Sequence, residues 1–461
     1  NPCLYKKPLY PSWDRGAFYV DSGNIREIGK DDHHTILPKK EERKEKDSFY
    51  VAKHIVLRIS NKDKCYFYTV HKPILFRHNI NLYIYMKTHT FLVAALTLLL
   101  GACSQQPDKT LSGLNPADFA TVVDGKQVAL YTLKNASGME VCITNFGGRI
   151  VSIMVPDRNG EMRDVVLGFD NIDDYVNIPS DFGASVGRYA NRIDHGRLVI
   201  DGDTVQLPQN NFGHCLHGGP KGWQYKVYEA RQLDGKTLEL MMHSPDGDEN
   251  FPGNVEAKVT YNLTDDNAIV IAYEATTDAP TVINMTNHSY FNLSGNPRRP
   301  ILDHLLTVDA DSYTPVDSTY MTTGEILPVE GTPMDFRTET AVGARMHENF
   351  EQLKNGNGYD HNWVLATAGD VDRTAVRLVS PETGICLSVR TTEPGIQIYS
   401  GNFLDGTIKG KGEIVYNPRT GICLESQHYP DSPNKPQWPS TVLRPGETYQ
   451  SVCIYGFSIA E

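Results

Sequence analysis

Residues 286–295 read T-N-H-S-Y-F-N-L-S-G, which sets two asparagines, a histidine and two serines beside two aromatic rings. The β-rich run 280–285 leads into this stretch, and Ser294-Gly295 is a turn signal that ends it. Inside a buried strand each polar group would need a hydrogen-bond partner, so this density indicates the floor of a cleft for a ligand with many hydroxyls. His288 is the group there that can exchange a proton near neutral pH. For an isolated histidine, a structural role with backbone partners is the alternative.

The scaffold around this stretch has the pattern of an all-β protein. From about Asp118 to the end, short alternating or apolar runs are separated by Gly, Asn, Asp and Pro turns. The clearest runs are residues 127–133, 140–144, 150–155, 255–261, 268–273 and 375–378. The spacing predicts a single domain of many antiparallel strands, a sandwich or a barrel. Helical periodicity is scarce, and residues 340–353 are the best candidate for one short helix.

The first hundred residues have a different texture. Residues 39–47, K-K-E-E-R-K-E-K-D, form a charge block typical of a solvated tail. After Met86 come a short basic start, the apolar run 91–100 and the ending L-G-A-C at Cys103. This pattern predicts a signal peptide, and its apolar run is far shorter than the roughly 18–20 residues that span a bilayer.

The L-G-A-C ending resembles a bacterial lipobox, in which Cys103 becomes the lipidated first residue of an exported lipoprotein. An ordinary secretory signal with a chance cysteine is the alternative. We therefore expect residues 1–85 to be a disordered upstream extension joined to the true reading frame. Residues 86–102 are expected to be the signal peptide, 103–117 a polar tether and 118–461 the folded domain.

Charge and cysteine content exclude several classes of protein. Residues 103–461 carry 27 Lys and Arg against 46 Asp and Glu, a net charge near −19 with neutral histidines. This balance argues against nucleic acid or anionic membrane surfaces as partners. None of the eight cysteines forms a C-x-x-C, so neither a zinc ribbon nor a thioredoxin-type site is indicated. Five follow Cys103, so at least one is unpaired; most are expected to be buried apolar side chains, and one disulfide is possible.

Two further polar clusters lie between residues 187 and 219. Residues 187–193 read G-R-Y-A-N-R-I, and we expect Asn191 and Arg192 to point into a cleft, where an arginine fork binds hydroxyls or a carboxylate. Residues 210–219 read N-N-F-G-H-C-L-H-G-G. Two histidines three apart are a weak metal signal without a third ligand in the segment. His217, followed by two glycines, is expected to face a ligand on a loop that allows close backbone approach.

The last two clusters supply carboxylates and an amide. Residues 358–363, G-Y-D-H-N-W, place Asp360 at a strand entry, with a solvated turn as the alternative. Residues 394–403 contain Gln397, and 421–428 contain Glu425 after the apolar Cys423-Leu424. A buried carboxylate has a raised pKa and can act as a base near working pH. Pairing of Glu425 with an arginine for structure is equally open.

Taken in order, these segments resemble the aldose 1-epimerase (galactose mutarotase) family from about Asp118 to Glu461. The resemblance rests on G-R-Y-A-N-R-I, L-H-G-G, T-N-H-S-Y-F-N-L-S-G, G-Y-D-H-N, P-G-I-Q-I-Y-S-G-N-F and C-L-E-S-Q-H-Y-P-D-S. Tyr189 departs from the small aliphatic residue that is commoner in the family. The resemblance implies a large antiparallel β-sandwich that interconverts the α- and β-anomers of free aldohexoses such as glucose and galactose.

The resemblance also implies a role for each site residue. Glu425 is the base, His288 the acid, and His217 the donor that holds charge developing on a sugar oxygen. The remaining residues bind the substrate hydroxyls: Asn191, Arg192, Asp360 and Gln397. No cofactor and no metal is required, and the sequence is silent on an incidental divalent cation such as calcium. The protein is expected to be a monomer whose only membrane contact is the lipid on Cys103, in the periplasm or on the outer membrane of a bacterium.

Three alternative functions account for the motifs less well. A glycoside hydrolase would use Asp360 and Glu425 as its two carboxylates, which leaves His217 and His288 without a role. A non-catalytic sugar-binding protein of the same fold would be expected to lack Glu425 or His288. An epimerase acting on phosphorylated sugars would need a basic cluster at the cleft, which the acidic balance argues against.

Overall fold

The computed structural model describes residues 109–460, together with the backbone of four short strands nearer the N terminus. These strands form two hairpins, Phe18–Asp21 with Asn24–Glu27 and Ile55–Asn61 with Lys64–Val70. The expected signal peptide 86–102 and Cys103 lie outside the described residues. The expected upstream extension thus includes two hairpins, and its assignment stays a prediction.

The domain begins earlier than the sequence predicts. Ser104–Glu461 forms one compact unit, and the chain is packed from Thr110 onward, because Leu114 is buried in a cluster with Phe119 and Val128. The backbone N–H of Leu111 also donates to Glu140 at 2.6 Å. The polar tether predicted over 103–117 therefore cannot extend through its second half, where an apolar side chain joins the core.

The largest sheet has nine strands, all paired antiparallel. In spatial order they are Glu229–Gln232, Thr237–Ser244, Val255–Leu263, Ala268–Thr277, Tyr449–Ile459, Ile385–Thr391, Val376–Val379, Leu305–Val308 and Thr340–Ala341. Residues of Val255–Leu263 alternate between buried positions and partly buried or exposed ones, as expected for a strand with one face on the core.

Two smaller sheets complete the layers. A six-stranded sheet has the order Tyr290–Phe291, Ile422–Gln427, Gly395–Tyr399, Asp360–Val364, Ser312–Thr314 and Leu327–Pro328. A four-stranded sheet has the order Met162–Asp164, Arg149–Pro156, Glu140–Thr144 and Leu130–Lys134. Short two-stranded pairs link them: Thr121–Val123 with Lys126–Val128, Ala184–Val186 with Thr286–His288, Arg192–Ile193 with Cys215–Leu216, Arg197–Ile200 with Asp203–Gln206, and Thr281–Val282 with Val442–Leu443.

One apolar core joins the three sheets. Val259 and Tyr455 of the nine-stranded sheet share a buried cluster with Leu424 of the six-stranded sheet and Ile153 of the four-stranded sheet. The Tyr455 hydroxyl donates to the carbonyl of Leu424 at 3.1 Å, so its one polar atom is satisfied inside that core. The predicted all-β sandwich is confirmed.

Within residues 109–460 the α-helices are Ile172–Asn177 and Glu351–Asn355. The helix predicted over 340–353 is wrong for most of its length. Thr340–Ala341 is an edge strand, and the N–H groups of Val342 and Gly343 donate to the carbonyls of His304 and Leu302 instead of bonding within a helix. No helix among the described residues is long and apolar enough to cross a membrane.

The cysteines of the described domain behave as apolar core residues. Cys142, Cys215, Cys386, Cys423 and Cys453 are all free and buried. This agrees with the prediction of buried small side chains for most of them.

Candidate active site

The stretch 286–295 is more buried than the sequence suggests. Its first residues form the strands Thr286–His288 and Tyr290–Phe291, and its polar groups are largely satisfied within the protein. The Asn287 amide donates to the carbonyl of Gly183 and accepts from Ser289, while the Asn292 amide donates to the carbonyls of Arg299 and Thr420. The prediction that such dense polarity does not suit a buried strand is therefore wrong, because side-chain amides bond the neighbouring backbone. His288 is the member of the stretch that faces Glu425.

His288 and Glu425 form a close buried pair. The Nε2 atom of His288 lies 3.5 Å from Oε1 of Glu425, and the two residues are 4% and 2% exposed. The Nδ1 of His288 and the Oε2 of Glu425 have no hydrogen-bond partner within the protein. The ring of His288 is fixed by stacking on Tyr290 at 5.0 Å. The protein thus holds the His288 ring in place, while Nδ1 of His288 and Oε2 of Glu425 remain available to bind another molecule.

Burial shifts the pKa values of the two residues in opposite directions. Desolvation raises the pKa of Glu425 well above its ordinary value, and the charges of Asp360 and Asp181 raise it further against the opposing effect of Arg192. Desolvation lowers the pKa of His288, partly offset by Asp181. Burial therefore favours the neutral form of both residues, a protonated carboxyl and an uncharged imidazole. A proton donor and a proton acceptor side by side are what a site needs if it must give one proton and take another.

Three adjacent strands carry the rest of the polar surface beside Glu425. Gln397 is opposite Glu425 in register, and Asn362 is opposite Gln397. Alternate side chains of a strand share a face, so Asp360 and Asn362 lie on the same side as Gln397 and Glu425. The Gln397 Nε2 donates to Oδ1 of Asp360 at 2.7 Å.

This face carries several buried polar atoms without a partner in the protein. They are Oε1 of Gln397, Oε1 of Gln427, Oε2 of Glu425 and both amide atoms of Asn362. Such atoms are uncommon in folded proteins because each costs desolvation energy, and a bound ligand can supply the missing hydrogen bonds.

Two paired loops bring the remaining predicted residues to the site. Arg192 is opposite Leu216 in the short ladder between the G-R-Y-A-N-R-I and L-H-G-G segments. The Arg192 guanidinium donates to Oδ1 of Asn211 at 2.8 Å and lies over the ring of Tyr320 at 5.2 Å. Gly218 allows the loops to pack, since it has a φ of +77° and a Cβ there would collide with the carbonyl oxygen of Gly187.

His217 is held as a hydrogen-bond donor. Its ring Nδ1 accepts from the backbone N–H of Asn191 at 3.1 Å, and the backbone N–H of His217 donates to the carbonyl of Asn191 at 3.0 Å. Burial lowers the pKa of His217 to about 3, so the imidazole is neutral at physiological pH. With Nδ1 accepting, the single proton resides on Nε2. The His217 and His288 rings meet edge to face at 5.2 Å.

The two arginines of the first motif have separate tasks. The buried Arg188 donates to the carbonyls of Ser244, Pro245, Pro252 and Gly253, so it fixes a neighbouring loop and lies outside the site. The charge of Arg192, in contrast, interacts with the carboxylate of Asp360. That Asn191 and Arg192 face a cleft stays a prediction; Oδ1 of Asn191 accepts from the backbone N–H of Arg192.

Asp181 also lies at the site, although no motif in the sequence marks it. One carboxylate oxygen of Asp181 and one ring nitrogen each of His217 and His288 lie within 4.8 Å of one another. The loop of Asp181 is fixed by Arg149, which donates to the carbonyls of Ser180 and Phe182 at 2.9 and 3.0 Å. No local pattern marks Asp181, because it reaches the site through the pairing of Ala184–Val186 with Thr286–His288.

We expect Asp181→Asn to move both limbs of the pH–rate profile to lower pH. Removing the carboxylate charge lowers the pKa of Glu425 and of His288, since Asp181 raises both. The profile of initial rates from about pH 4 to 9 measures the shift. Asp173→Asn, on the exposed side of the helix Ile172–Asn177, is the matched control and should leave the profile unchanged. An unchanged Asp181→Asn profile would contradict the electrostatic role.

Three clusters bring potential metal ligands together in the described residues: Asp181 with His217 and His288, Asp194 with His195 and His214, and His288 with Cys423 and Glu425. In the first two clusters one histidine has no free lone pair for a metal ion, because Nδ1 of His217 and Nδ1 of His214 accept backbone N–H groups. In the third, burial raises the pKa of the Cys423 thiol well above its ordinary value, which disfavours the thiolate that binds metals. The hydrogen bonding favours proton transfer over metal binding.

A β-sandwich with a coupled carboxylate–imidazole pair beside a polar face defines a class of acid–base enzymes for polyhydroxylated ligands. A sequence model described as aldose 1-epimerase matches residues 129–456. Galactose mutarotase of Homo sapiens is 41% identical over 322 residues, which cover 70% of this chain and 92% of that protein. Aldose 1-epimerase of Escherichia coli strain K12 is 40% identical over 344 residues, which cover 74% and 98%. The chain belongs to the aldose 1-epimerase family.

Solved structures agree with this assignment. An aldose epimerase homologue from C. elegans has a TM-score of 0.68 at 32% identity, covering 72% of this chain and all of that one. Galactose 1-epimerase from Lactobacillus acidophilus NCFM has a TM-score of 0.66 at 28% identity, covering 74% and 97%.

Proposed function

We propose that this protein is an aldose 1-epimerase that interconverts the α- and β-anomers of free aldoses such as glucose and galactose. The observation that carries the proposal is the His288–Glu425 pair at 3.5 Å, buried beside unpartnered polar atoms. Relatives at 40–42% identity that carry the names galactose mutarotase and aldose 1-epimerase support it.

The reaction opens the hemiacetal ring, rotates about the C1–C2 bond and closes the ring on the other face. In the form of the pair with an ionised Glu425 and a protonated His288, Glu425 takes the proton of the C1 hydroxyl and His288 gives a proton to the ring oxygen. On closure each group reverses its role, so the pair ends with the proton count with which it began. Each well-placed group of this kind contributes on the order of 10²- to 10⁴-fold.

The groups around the pair hold the sugar during rotation. His217 donates from Nε2 to the oxygen on which charge develops, and its neutral state avoids a competing proton transfer. Asn191, Arg192, Asp360 and Gln397 bind the hydroxyls and retain the open chain. Proton transfers alone complete the reaction, so we propose that it needs no cofactor.

The alternatives fit the geometry less well. A hydrolase using Asp360 and Glu425 would need both carboxyls free, whereas Asp360 already accepts from Gln397 at 2.7 Å and faces Arg192. A binding protein without catalysis gives no role to a histidine whose Nδ1 is unpartnered and whose Nε2 meets a carboxylate.

We expect the purified protein to relax the optical rotation of fresh α-D-glucose and α-D-galactose faster than the buffer alone. His288→Asn should return the rate to near the blank while the sugar still binds. A wild-type rate equal to the blank, with sugar binding retained, would show a sugar-binding protein instead of an epimerase.

We also propose an exported lipoprotein that acts as a monomer, with residues 86–102 as its signal peptide and a lipid on Cys103. The support is the basic start, the short apolar run and the L-G-A-C ending. Mass spectrometry of the mature N terminus tests the lipid, and loss of the modification in Cys103→Ala would assign it. Sedimentation tests the monomer.

A further inference from the structure

A fully buried arginine, Arg149, joins segments that surround the candidate active site. The residue is 0% exposed, and its guanidinium lies 5.3 to 5.9 Å from the ring centroids of Phe146, Tyr175 and Tyr225. Burial of a guanidinium is costly because the charge loses its water, and an apolar side chain in such a place is often no less stable. Arg149 therefore calls for a role that an apolar side chain could not supply.

The three hydrogen bonds of Arg149 identify that role. Its Nη1 donates to the carbonyl of Phe182 at 3.0 Å, and its Nη2 donates to the carbonyl of Ser180 at 2.9 Å. These two carbonyls lie on either side of Asp181, so the planar fork of the guanidinium fixes the backbone before and after that residue. The same Nη2 donates to the carbonyl of Gln224 at 2.8 Å. Arg149 therefore links the loop of Asp181 to the segment that follows the L-H-G-G motif.

The backbone next to Arg149 also reaches His288. The N–H of Ile150 donates to the carbonyl of Gly183 at 2.9 Å, and the N–H of Gly183 donates to the carbonyl of His288 at 2.9 Å. Gly183 lies close against the strand of Arg149, since it has a φ of +68° and a Cβ there would lie 1.9 Å from the carbonyl oxygen of Ile150. Two backbone hydrogen bonds thus connect the strand of Arg149 with His288.

The Asp181 carboxylate depends on this backbone for its position. Its buried Oδ1 has no hydrogen-bond partner among the described residues. One of its oxygens nevertheless lies within 4.8 Å of a ring nitrogen of His217 and of one of His288. Burial lowers the pKa of Arg149 and the charge of Asp181 opposes that shift, so the two opposite charges are close enough to interact. Because no hydrogen bond holds Oδ1, the backbone that carries Asp181 sets its distance from the two rings.

We propose that Arg149 is a positioning residue of the epimerase site that acts through Asp181, by holding the backbone that keeps the carboxylate beside the two histidines. This inference rests on the proposed epimerase function. The negative charge of Asp181 favours the protonated imidazole of His288, which gives its proton to the ring oxygen of the sugar. A loop released from Arg149 would move that charge away, and a displacement of about 1 Å can cost about 10²-fold in rate.

A double-mutant cycle on the full chain tests this route of action, with kcat and KM for α-D-glucose measured by optical rotation at the pH optimum of each protein. Arg149→Met removes all three carbonyl contacts, and we expect kcat to fall roughly 10- to 100-fold while KM stays within about twofold. In the Asp181→Asn background the same substitution should cost at most about threefold, because the carboxylate that Arg149 positions is already absent.

Arg149→Lys is the conservative variant. It keeps the buried charge but replaces the planar fork with a single ammonium group, so we expect it to fold and to lose roughly three- to tenfold in kcat. In the Asp181→Asn background this loss should shrink to within about twofold. If Arg149→Met does not fold, the cycle with Arg149→Lys decides the question alone.

Arg188→Lys is the matched control. Arg188 is 1% exposed and also donates to backbone carbonyls, but these belong to residues 244, 245, 252 and 253, away from Asp181. Whatever this variant costs in kcat should be the same, within about twofold, with and without Asp181→Asn. A loss from the Arg149 variants that is equally large in both backgrounds, or a wild-type kcat in both of them, would overturn the inference.

Hydrogen–deuterium exchange separates the inference from the proposed function. In Arg149→Lys, exchange should rise in the peptide that covers residues 180–186, where the N–H groups of Gly183 and Ala184 are bonded, and in Arg188→Lys it should stay at the wild-type rate. Unchanged exchange there in Arg149→Lys overturns the inference alone, because Arg149 then does not hold the loop. A wild type that relaxes neither glucose nor galactose shows that the epimerase function has failed, and the inference with it.

Discussion

Glu425→Gln is expected to slow mutarotation by about three orders of magnitude, within the 10²- to 10⁴-fold range of a positioned acid–base group. The same variant should be more thermally stable than the wild type at neutral and alkaline pH. Glutamine keeps the size of glutamate and can still donate and accept hydrogen bonds, but it cannot take the C1 hydroxyl proton.

The stability effect follows from the direction of the pKa shift. Burial, followed by the charges of Asp360 and Asp181, raises the pKa of Glu425 in the folded protein above that of an unfolded chain. Between the two values the folded state binds more protons than the unfolded state, so stability falls as pH rises across that window. Glutamine does not ionise and escapes this loss. The melting temperatures of the two proteins should therefore agree near pH 4 and diverge as the pH rises, with that of the variant roughly 1–3 °C higher at pH 8.

Glu393→Gln provides the matched control. Glu393 is as buried as Glu425, but it is partnered by Nδ1 of His428 at 2.6 Å and by the Tyr449 hydroxyl at 3.4 Å. Removing a partnered buried carboxylate should lower the melting temperature and leave the rate of mutarotation within about twofold. An active Glu425→Gln variant, or one less stable than the wild type at pH 8, would contradict the assignment of Glu425 as the catalytic base.

The sequence predicts the architecture because turn dipeptides and alternation report local strand geometry directly. Glu140–Thr144 is observed with the predicted bounds, and the strand predicted over 255–261 runs to Leu263. Failures occur where a distant segment decides the structure. Residues 340–353 have helical spacing, but Leu302 and His304 take up their first backbone donors.

The site residues likewise divide into those that a local motif marks and those that distant segments bring together. The site residues expected from the sequence each lie in a motif that stands out there: Asn191, Arg192, His217, His288, Asp360, Gln397 and Glu425. In the structure His288 lies beside Glu425 and His217, and Gln397 donates to Asp360. Asp181 carries no such signal, because its proximity to His217 and His288 depends on strand pairing and on the Arg149 anchor. The protonation of the pair could not be predicted either, because it depends on burial and on charges from four separate segments.

His217→Asn is expected to reduce kcat by about 10²- to 10³-fold, the usual loss of one positioned donor to developing charge. His217→Gln should retain about tenfold more activity than His217→Asn. In asparagine the amide oxygen can occupy the position of Nδ1 and accept the Asn191 N–H, but no donor reaches the position of Nε2. In glutamine the amide nitrogen can reach that position and donate.

Backbone preference makes this comparison decisive. His217 has a φ of +51°, a conformation that asparagine tolerates better than glutamine does. A more active glutamine variant therefore cannot be explained by better folding. Since the pKa of His217 is about 3, both variants should also keep the wild-type pH limbs above about pH 5. If the two variants lose activity equally and a limb of the profile moves, His217 exchanges a proton during the reaction, and the division of roles between His217 and His288 must be reversed.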